Sequence, residues 1–178
     1  MYGVSRRTVI IAGLVLVRAL PVFAAGAKER MAEDLIVDAV NRGRADLAPE
    51  LPPLMRVEVL DAIARERSDA MVGGAPFEHD DGAGHYPVVQ KIRERYARFG
   101  AMGENIMRDF DPTGRIYDAQ VFAARTVKSW FDSEGHRENI LSPAFTQCGV
   151  GVAASRTMVY ATQVFWGPPM KPGERRPG

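Results

Sequence analysis

Two neighbouring segments near the C-terminal end leave this chain little choice of architecture. Gly149 to Ala154 is small and apolar, and Met158 to Trp166 alternates, placing Val159, Ala161, Gln163 and Phe165 on one face. Only Ser155-Arg156-Thr157 separates them. So short a connector closes an antiparallel hairpin and cannot supply the crossover that a parallel pair requires. A lone hairpin is marginal in water. The rest of the chain must therefore add strand and cover the sheet.

The upstream residues supply that cover as helices. Ala32, Ile36, Ala39, Val40 and Gly43 fall on one face of a helix expected over Glu29 to Asp46. Pro49, Pro52 and Pro53 end it and impose an extended connector. A second helix is expected over Arg56 to Met71, with Val57, Leu60, Ala64, Ser68 and Met71 inward and the Ser68 hydroxyl bonded back along its own helix. Val72 to Pro87, punctuated by Gly73, Gly74, Pro76, Gly82 and Gly84, reads as a loop. Val88 to Phe99 reads as a short helix ended by Gly100, and Gly103 to Arg108 as a short strand. A turn on Asp111-Pro112 follows. The longest helix is expected over Ile116 to Ser133, with Ile116, Ala119, Ala123, Val127 and Trp130 as its buried stripe and Gly135 breaking it at His136. Helices around a small antiparallel sheet make an α+β layer structure.

A chain of 178 residues, 46% of them apolar, is one domain with a real core. Its +1 formal charge is unevenly spread, because Arg6, Arg7 and Arg18 sit in the first 27 residues with no acid beside them. The remainder carries 20 basic against 22 acidic residues. That balance lacks the basic face of a nucleic-acid binder and the polybasic patch of a protein held to anionic lipid. Residues 1–27 read as an export signal. Arg6-Arg7 is its positive start, and Thr8 to Val17 is an apolar run too short to span a bilayer. Cleavage sites are on offer at Ala25-Gly26-Ala27 and at Val22-Phe23-Ala24. Ser5-Arg6-Arg7-Thr8-Val9-Ile10 fits a twin-arginine signal as well as an ordinary secretory one. Residues 28–167 form the domain. The Pro- and Gly-rich 168–178 cannot bury enough to order itself. Cys148 is the only cysteine, so no internal disulfide can form, and a buried small side chain is its expected state.

Several short stretches, in order, resemble the CAP superfamily of SCP or PR-1-like domains in its bacterial form. They are Asn41-Arg42-Gly43-Arg44, His79 in Phe77-Glu78-His79, Gly103-Glu104-Asn105-Ile106, and Ser133-Glu134-Gly135-His136-Arg137-Glu138-Asn139-Ile140-Leu141. Cys148 to Ala153 and Tyr160 to Phe165 complete the match, which runs from about Glu29 to Gly167. The resemblance implies an α–β–α sandwich with a three-stranded central sheet. It also implies a cleft lined by His79, Glu104 and His136. Many eukaryotic members place a glutamate three residues after the helix tryptophan; here that position is Ser133, which removes one carboxylate from the implied cleft.

Two imidazoles and a carboxylate can hold a divalent metal such as zinc or act as general acid and base. Local spacing signals neither role, since His79 and His136 are far apart in sequence. Each residue also has a bland reading. His79 serves as a loop hydrogen-bonder, Glu104 holds a turn, and His136 suits a helix C-terminus. Asn105 and Asn139 tie loops to the main chain, and Trp130 fills core. His85, in Gly84-His85-Tyr86, stands outside the cleft. The functional readings are an exported, non-enzymatic binding module of the cell envelope or extracellular space, a metal-assisted hydrolase of peptide or cell-wall substrate, and, third, a lipid-binding protein. The module's partner would be a small molecule, glycan, peptide or lipid.

Overall fold

The computed structural model describes residues 26–96, 100–110 and 118–169. The export segment up to residue 25, the Asp111-Pro112 turn, Ile116, Phe99 and most of the C-terminal tail lie outside them. In chain order the elements are α1 (Ala27–Leu47), β1 (Met55–Arg56), α2 (Glu58–Val72), α3 (Pro87–Arg95), β2 (Ala101–Phe110), α4 (Ala119–Asp132), α5 (Glu134–Leu141), β3 (Gln147–Ala154) and β4 (Met158–Gly167).

The sheet runs β1-β3-β4-β2. The expected hairpin is present, Ser155 closing it onto Met158, and β2 adds antiparallel to β4 with Glu104 opposite Val164. Four strands are present where three were expected. The extra one is the two-residue β1, which the Pro-rich connector lays parallel to β3. α1, α4 and α5 bury Ile36, Phe122, Trp130 and Ile140 against one face, with Val150, Ala161 and Phe165 of the sheet. α2 and α3 bury Leu60, Ile63 and Ile92 against the other, with Val164. The layers are helix, sheet, helix.

Glycine lets α2 lie directly on β3. A Cβ on Gly149 would fall 2.1 Å from Leu60 C, and one on Gly151 2.0 Å from Arg65 N. Ser68 makes use of that approach. Its hydroxyl donates outward to Gly151 O and lies 2.9 Å from Thr162 Oγ1, instead of bonding back along its helix. The sheet offers a nearer acceptor than the previous turn does.

The bounds of α4 and α5 differ from expectation. α4 starts at Ala119, where the Asp118 carboxylate accepts from Gln120 N and Val121 N. It is 14 residues long, so the 21-residue α1 is the longest helix among the described residues. The break after Trp130 falls at Ser133, whose φ of −90° and ψ of 125° are extended, and Gly135 is inside α5. His136 therefore opens a helix instead of closing one.

Hydrogen-bond parity settles which backbone groups leave the sheet, because outward and inward residues alternate along a strand. Cys148 O takes the amide of Val57, so the even-numbered residues of β3 point away from β4. Farther along that edge, Asp61 Oδ1 accepts from Val150 N at 2.8 Å and Glu33 Oε1 from Val152 N at 3.1 Å. Glu33 is fully buried and is held by Arg65 at 2.5 Å and Arg56 at 3.4 Å. Carboxylates thus close one edge of the sheet. The close α2–β3 approach sets a clear expectation. Gly151→Ala should lower unfolding free energy by about 3 kcal/mol, because only backbone could move aside. Gly135→Ala meets nothing within 4 Å and should be neutral or stabilising by up to about 1 kcal/mol in urea unfolding.

Candidate functional site

His79 hangs from the loop between α2 and α3. That loop bends on Gly74, Gly82 and Gly84, whose φ values of 100°, 82° and 81° exclude most side chains. Asp80 and Asp81 accept from Gly82 N and Ala83 N and tighten the turn. Arg67 of α2 straps the loop from below by donating to Pro76 O at 3.2 Å and to Glu78 O. The residue before His79 is thereby tied to a helix.

Glu104 projects from β2 toward α2. Its Oε2 lies 2.9 Å from His79 Nδ1, and its Oε1 lies 3.4 Å from Arg67 Nε. The Glu104 and Arg67 side chains are 9% and 4% exposed, against 49% for His79. A shielded ion pair therefore backs a half-exposed imidazole. The hydrogen bond to Glu104 raises the pKa of His79 above its ordinary value.

His136 arrives from the first turn of α5. Its ring centroid is 6.5 Å from that of His79, with the planes at 67°. Asn105 fixes this placement by donating from Nδ2 to His136 O at 3.1 Å, and Asn139 donates to Glu104 O and to Asn105 Oδ1. The two asparagines do tie main chain together, and the main chain they tie is the site itself. Burial, with His79 nearby, lowers the pKa of His136, and its buried Nδ1 has no hydrogen-bond partner among the described residues. The two histidines therefore titrate in opposite directions from their ordinary value. His79 steadies the fold at acid pH, a contribution lost as pH rises through its raised pKa. His136 resists protonation, so its environment costs stability as pH falls below the unfolded value.

Ser133 stands at the α4–α5 junction, makes no side-chain cap bond, and does not line the cavity described below. His85 bonds to Asp81 within its own loop, its side chain 72% exposed. Cys148 is fully buried, its thiol pushed up to about 12 by burial, so it is inert. Arg67 is the member that sequence reasoning passed over. The signal was present: it sits four residues from both Ile63 and Met71, a charge on an apolar stripe.

A cavity of about 310 Å³ opens beside the cluster, lined by His79, Tyr86, Val88, Val89, Met102, Gly103, Glu104 and Asn139. For a metal ion, the donor chemistry fits in part. His136 Nδ1 is unpartnered, and His79 Nε2 is left available once Nδ1 faces Glu104. Glu104 is engaged by Arg67 and His79, and among the described residues no three His, Cys, Asp or Glu side chains form a metal-holding group. The arrangement suits two imidazole ligands with Glu104 orienting one of them from behind.

Comparison with known proteins bears on the family and the fold. A family model described as CAP, the cysteine-rich secretory protein family, matches residues 37–166. The Bacillus subtilis strain 168 protein YkwD, described as uncharacterized, is 32% identical over 123 residues, or 69% of this chain and 43% of its own length. An extracellular SCP-domain protein from Bacillus anthracis strain Ames shares the fold at a TM-score of 0.61 and 27% identity, over 78% of this chain and 41% of that one. An outer surface protein of Borrelia burgdorferi superposes at a TM-score of 0.63 with 16% identity, over 77% and 92% of the two chains, a likeness of fold. The chain spans less than half the length of the two Bacillus proteins.

Nuclear magnetic resonance titration of the ring signals should separate the two histidines, His79 above and His136 below the usual range. Glu104→Gln should lower the His79 value, and Arg67→Met should raise it by removing a repelling cation.

Proposed function

The chain belongs to the CAP family of cysteine-rich secretory proteins, and on that premise we propose that it is an exported binding module. Its cleft of His79, Glu104 and His136 would hold a ligand without turning it over. One observation carries this reading: Glu104 is shielded between Arg67 and His79. A general base has to reach its substrate within hydrogen-bond distance. This side chain is 9% exposed, with Oε2 held by His79 and Oε1, buried without a hydrogen bond, 3.4 Å from the Arg67 guanidinium. Burial lowers the pKa of His136 and so weakens it as a base. A ligand with donors and acceptors of its own finds a pre-arranged carboxylate, imidazole pair and asparagine amide instead.

Export rests on the Arg6-Arg7 segment and its apolar run. It also fits the extracellular description of the Bacillus anthracis neighbour. Periplasm, cell envelope and extracellular space all suit the reading. Among the described residues no helix is long and apolar enough to cross a membrane.

A second reading, a metal-assisted hydrolase of peptide or cell-wall substrate, is favoured by the unpartnered His136 Nδ1. His79 and His136 would hold the ion, which when bound would activate water. Glu104 would orient His79 through Nδ1, Arg67 would lie behind Glu104 Oε1, and Asn105 would hold the α5 backbone in place. One experiment separates the two. Zinc titrated into the purified protein should perturb His79 and His136 ring signals reversibly, with His79→Ala abolishing the effect at the second ring. Casein-derived peptides and peptidoglycan should stay uncleaved with or without zinc. Cleavage that Glu104→Gln abolishes would establish the hydrolase and overturn the binding reading.

A further inference from the structure

The two edges of the sheet are finished differently. On β3 the outward groups Cys148 O, Val150 N and Val152 N are taken by Val57, Asp61 and Glu33. On β2 the parity is equally fixed. Even-numbered residues of β4 face β3, as Trp166 O does in accepting from Thr146 N, so its odd-numbered residues face β2. Gly103 and Asn105 pair with Phe165 and Gln163. The backbone groups of Met102, Glu104 and Ile106 therefore point away from the sheet. Trp130 Nε1 takes Ile106 O at 3.2 Å, and Asn139 Nδ2 takes Glu104 O at 3.3 Å. The N–H and C=O of Met102 and the N–H of Glu104 have no hydrogen-bond partner among the described residues.

The cavity beside His79 lies on that open stretch. Met102, Gly103 and Glu104 give it one side, and Tyr86, Val88 and Val89 from the start of α3 give it the other. Tyr86 is 54% exposed. The loop that supplies His79 and Tyr86 also holds Glu78, Asp80 and Asp81, and no Lys or Arg occurs between Arg67 and Pro87. Asp81 pairs with His85 and lines a neighbouring cavity. An unpaired donor, acceptor and donor along one strand, facing an apolar wall with an acidic loop beside it, match one ligand class. An extended peptide offers backbone groups at the same spacing of ~3.3 Å per residue and sets alternate side chains to opposite sides.

Building on the binding reading of this cleft, we propose that it takes an extended peptide bearing basic residues. The peptide adds to the edge of β2 through Met102 and Glu104. One apolar side chain rests on Tyr86 and Val89, and neighbouring basic side chains meet the acidic loop. His79 and Glu104 border the same segment.

The probe is acetyl-Lys-Val-Thr-Val-Lys-amide, added to the full chain and followed by amide signals and hydrogen exchange. Exchange at Met102 and Glu104 should slow about tenfold or more, while Gly103 and Asn105, already bonded to β4, stay unchanged. Methylating the peptide nitrogens of one register should weaken binding about tenfold, and methylating the other should not. Met102→Pro removes only an outward donor, as an edge strand tolerates, and should weaken binding by a similar factor that Met102→Leu does not. The Glu-for-Lys peptide should bind more weakly, the gap narrowing in high salt. Unchanged exchange at both amides, equal binding of both methylated peptides, or equal binding of the acidic peptide overturns the proposal. So does protection that grows with protein concentration alone, which would assign the edge to a second copy. Zinc acting on both histidines without peptide binding would sink this inference and leave the binding cleft. Cleavage of a bound probe would do the reverse.

Discussion

Arg44 carries a guanidinium into the interior, 1% exposed, and among the described residues meets no carboxylate at ion-pair distance. It is solvated by backbone instead. It donates to Pro52 O at 2.9 Å, Ile140 O at 2.5 Å, Ser142 O at 3.2 Å and Phe145 O at 3.5 Å. Two of these carbonyls lie at the end of α5, where orphan acceptors and the negative pole of the helix favour a cation. Burial lowers the arginine pKa without threatening its charge. One turn earlier Asn41 grips both Leu54 N and Leu54 O. The pair thus fixes the connector, the end of α5 and the approach to β3 against α1. The other end of α5 is held by Asn105 on His136 O. A helix of eight residues has little stability of its own. The separation of the two histidines is inherited from these anchors.

The same economy governs the sheet. Glu33 and Asp61 bring buried carboxylates to the amides of Val152 and Val150, and Arg56 and Arg65 balance them from the rim. Burial raises the Asp61 pKa even so, which marks how much desolvation the position demands. A chain with a single, buried cysteine has no disulfide to join α1 and α2 across that edge. Charge-assisted hydrogen bonds do it instead. Acids serve the β3 edge, whereas unpaired strand groups remain on β2, beside the histidines.

What could be read from the residues divides along a physical line. Periodicity marked α1, α2 and the hairpin to within a few residues, since apolar burial has a local signature. The Asn41–Arg44 spacing was visible as a motif, but its reason was not, because its acceptors lie up to a hundred residues away. His79, Glu104 and His136 were expected in one cleft on kinship, and nothing local in them shows that they meet. Ser68 was misjudged because a sheet carbonyl competes with the helix for its hydroxyl. His136 was placed at a helix end because Gly135 read as a breaker. The break is made by Ser133, whose extended backbone lets a second helix start at once. β1 left no trace in the sequence, its two residues being held by pairing with Gln147 and Cys148 on another strand.

Ser133 and Arg67 bear on one another through charge. With serine where the resemblance points to the glutamate of many eukaryotic members, Glu104 is the carboxylate beside the two histidines, and one buried guanidinium is enough to balance it. Arg67 meets that need while also holding the His79 loop by two carbonyls. The centre of the cleft is thus close to electrically balanced before any ligand arrives. Net charge at its heart can discriminate little; on the binding reading, selectivity falls to the shape of the apolar wall and to backbone groups of fixed spacing.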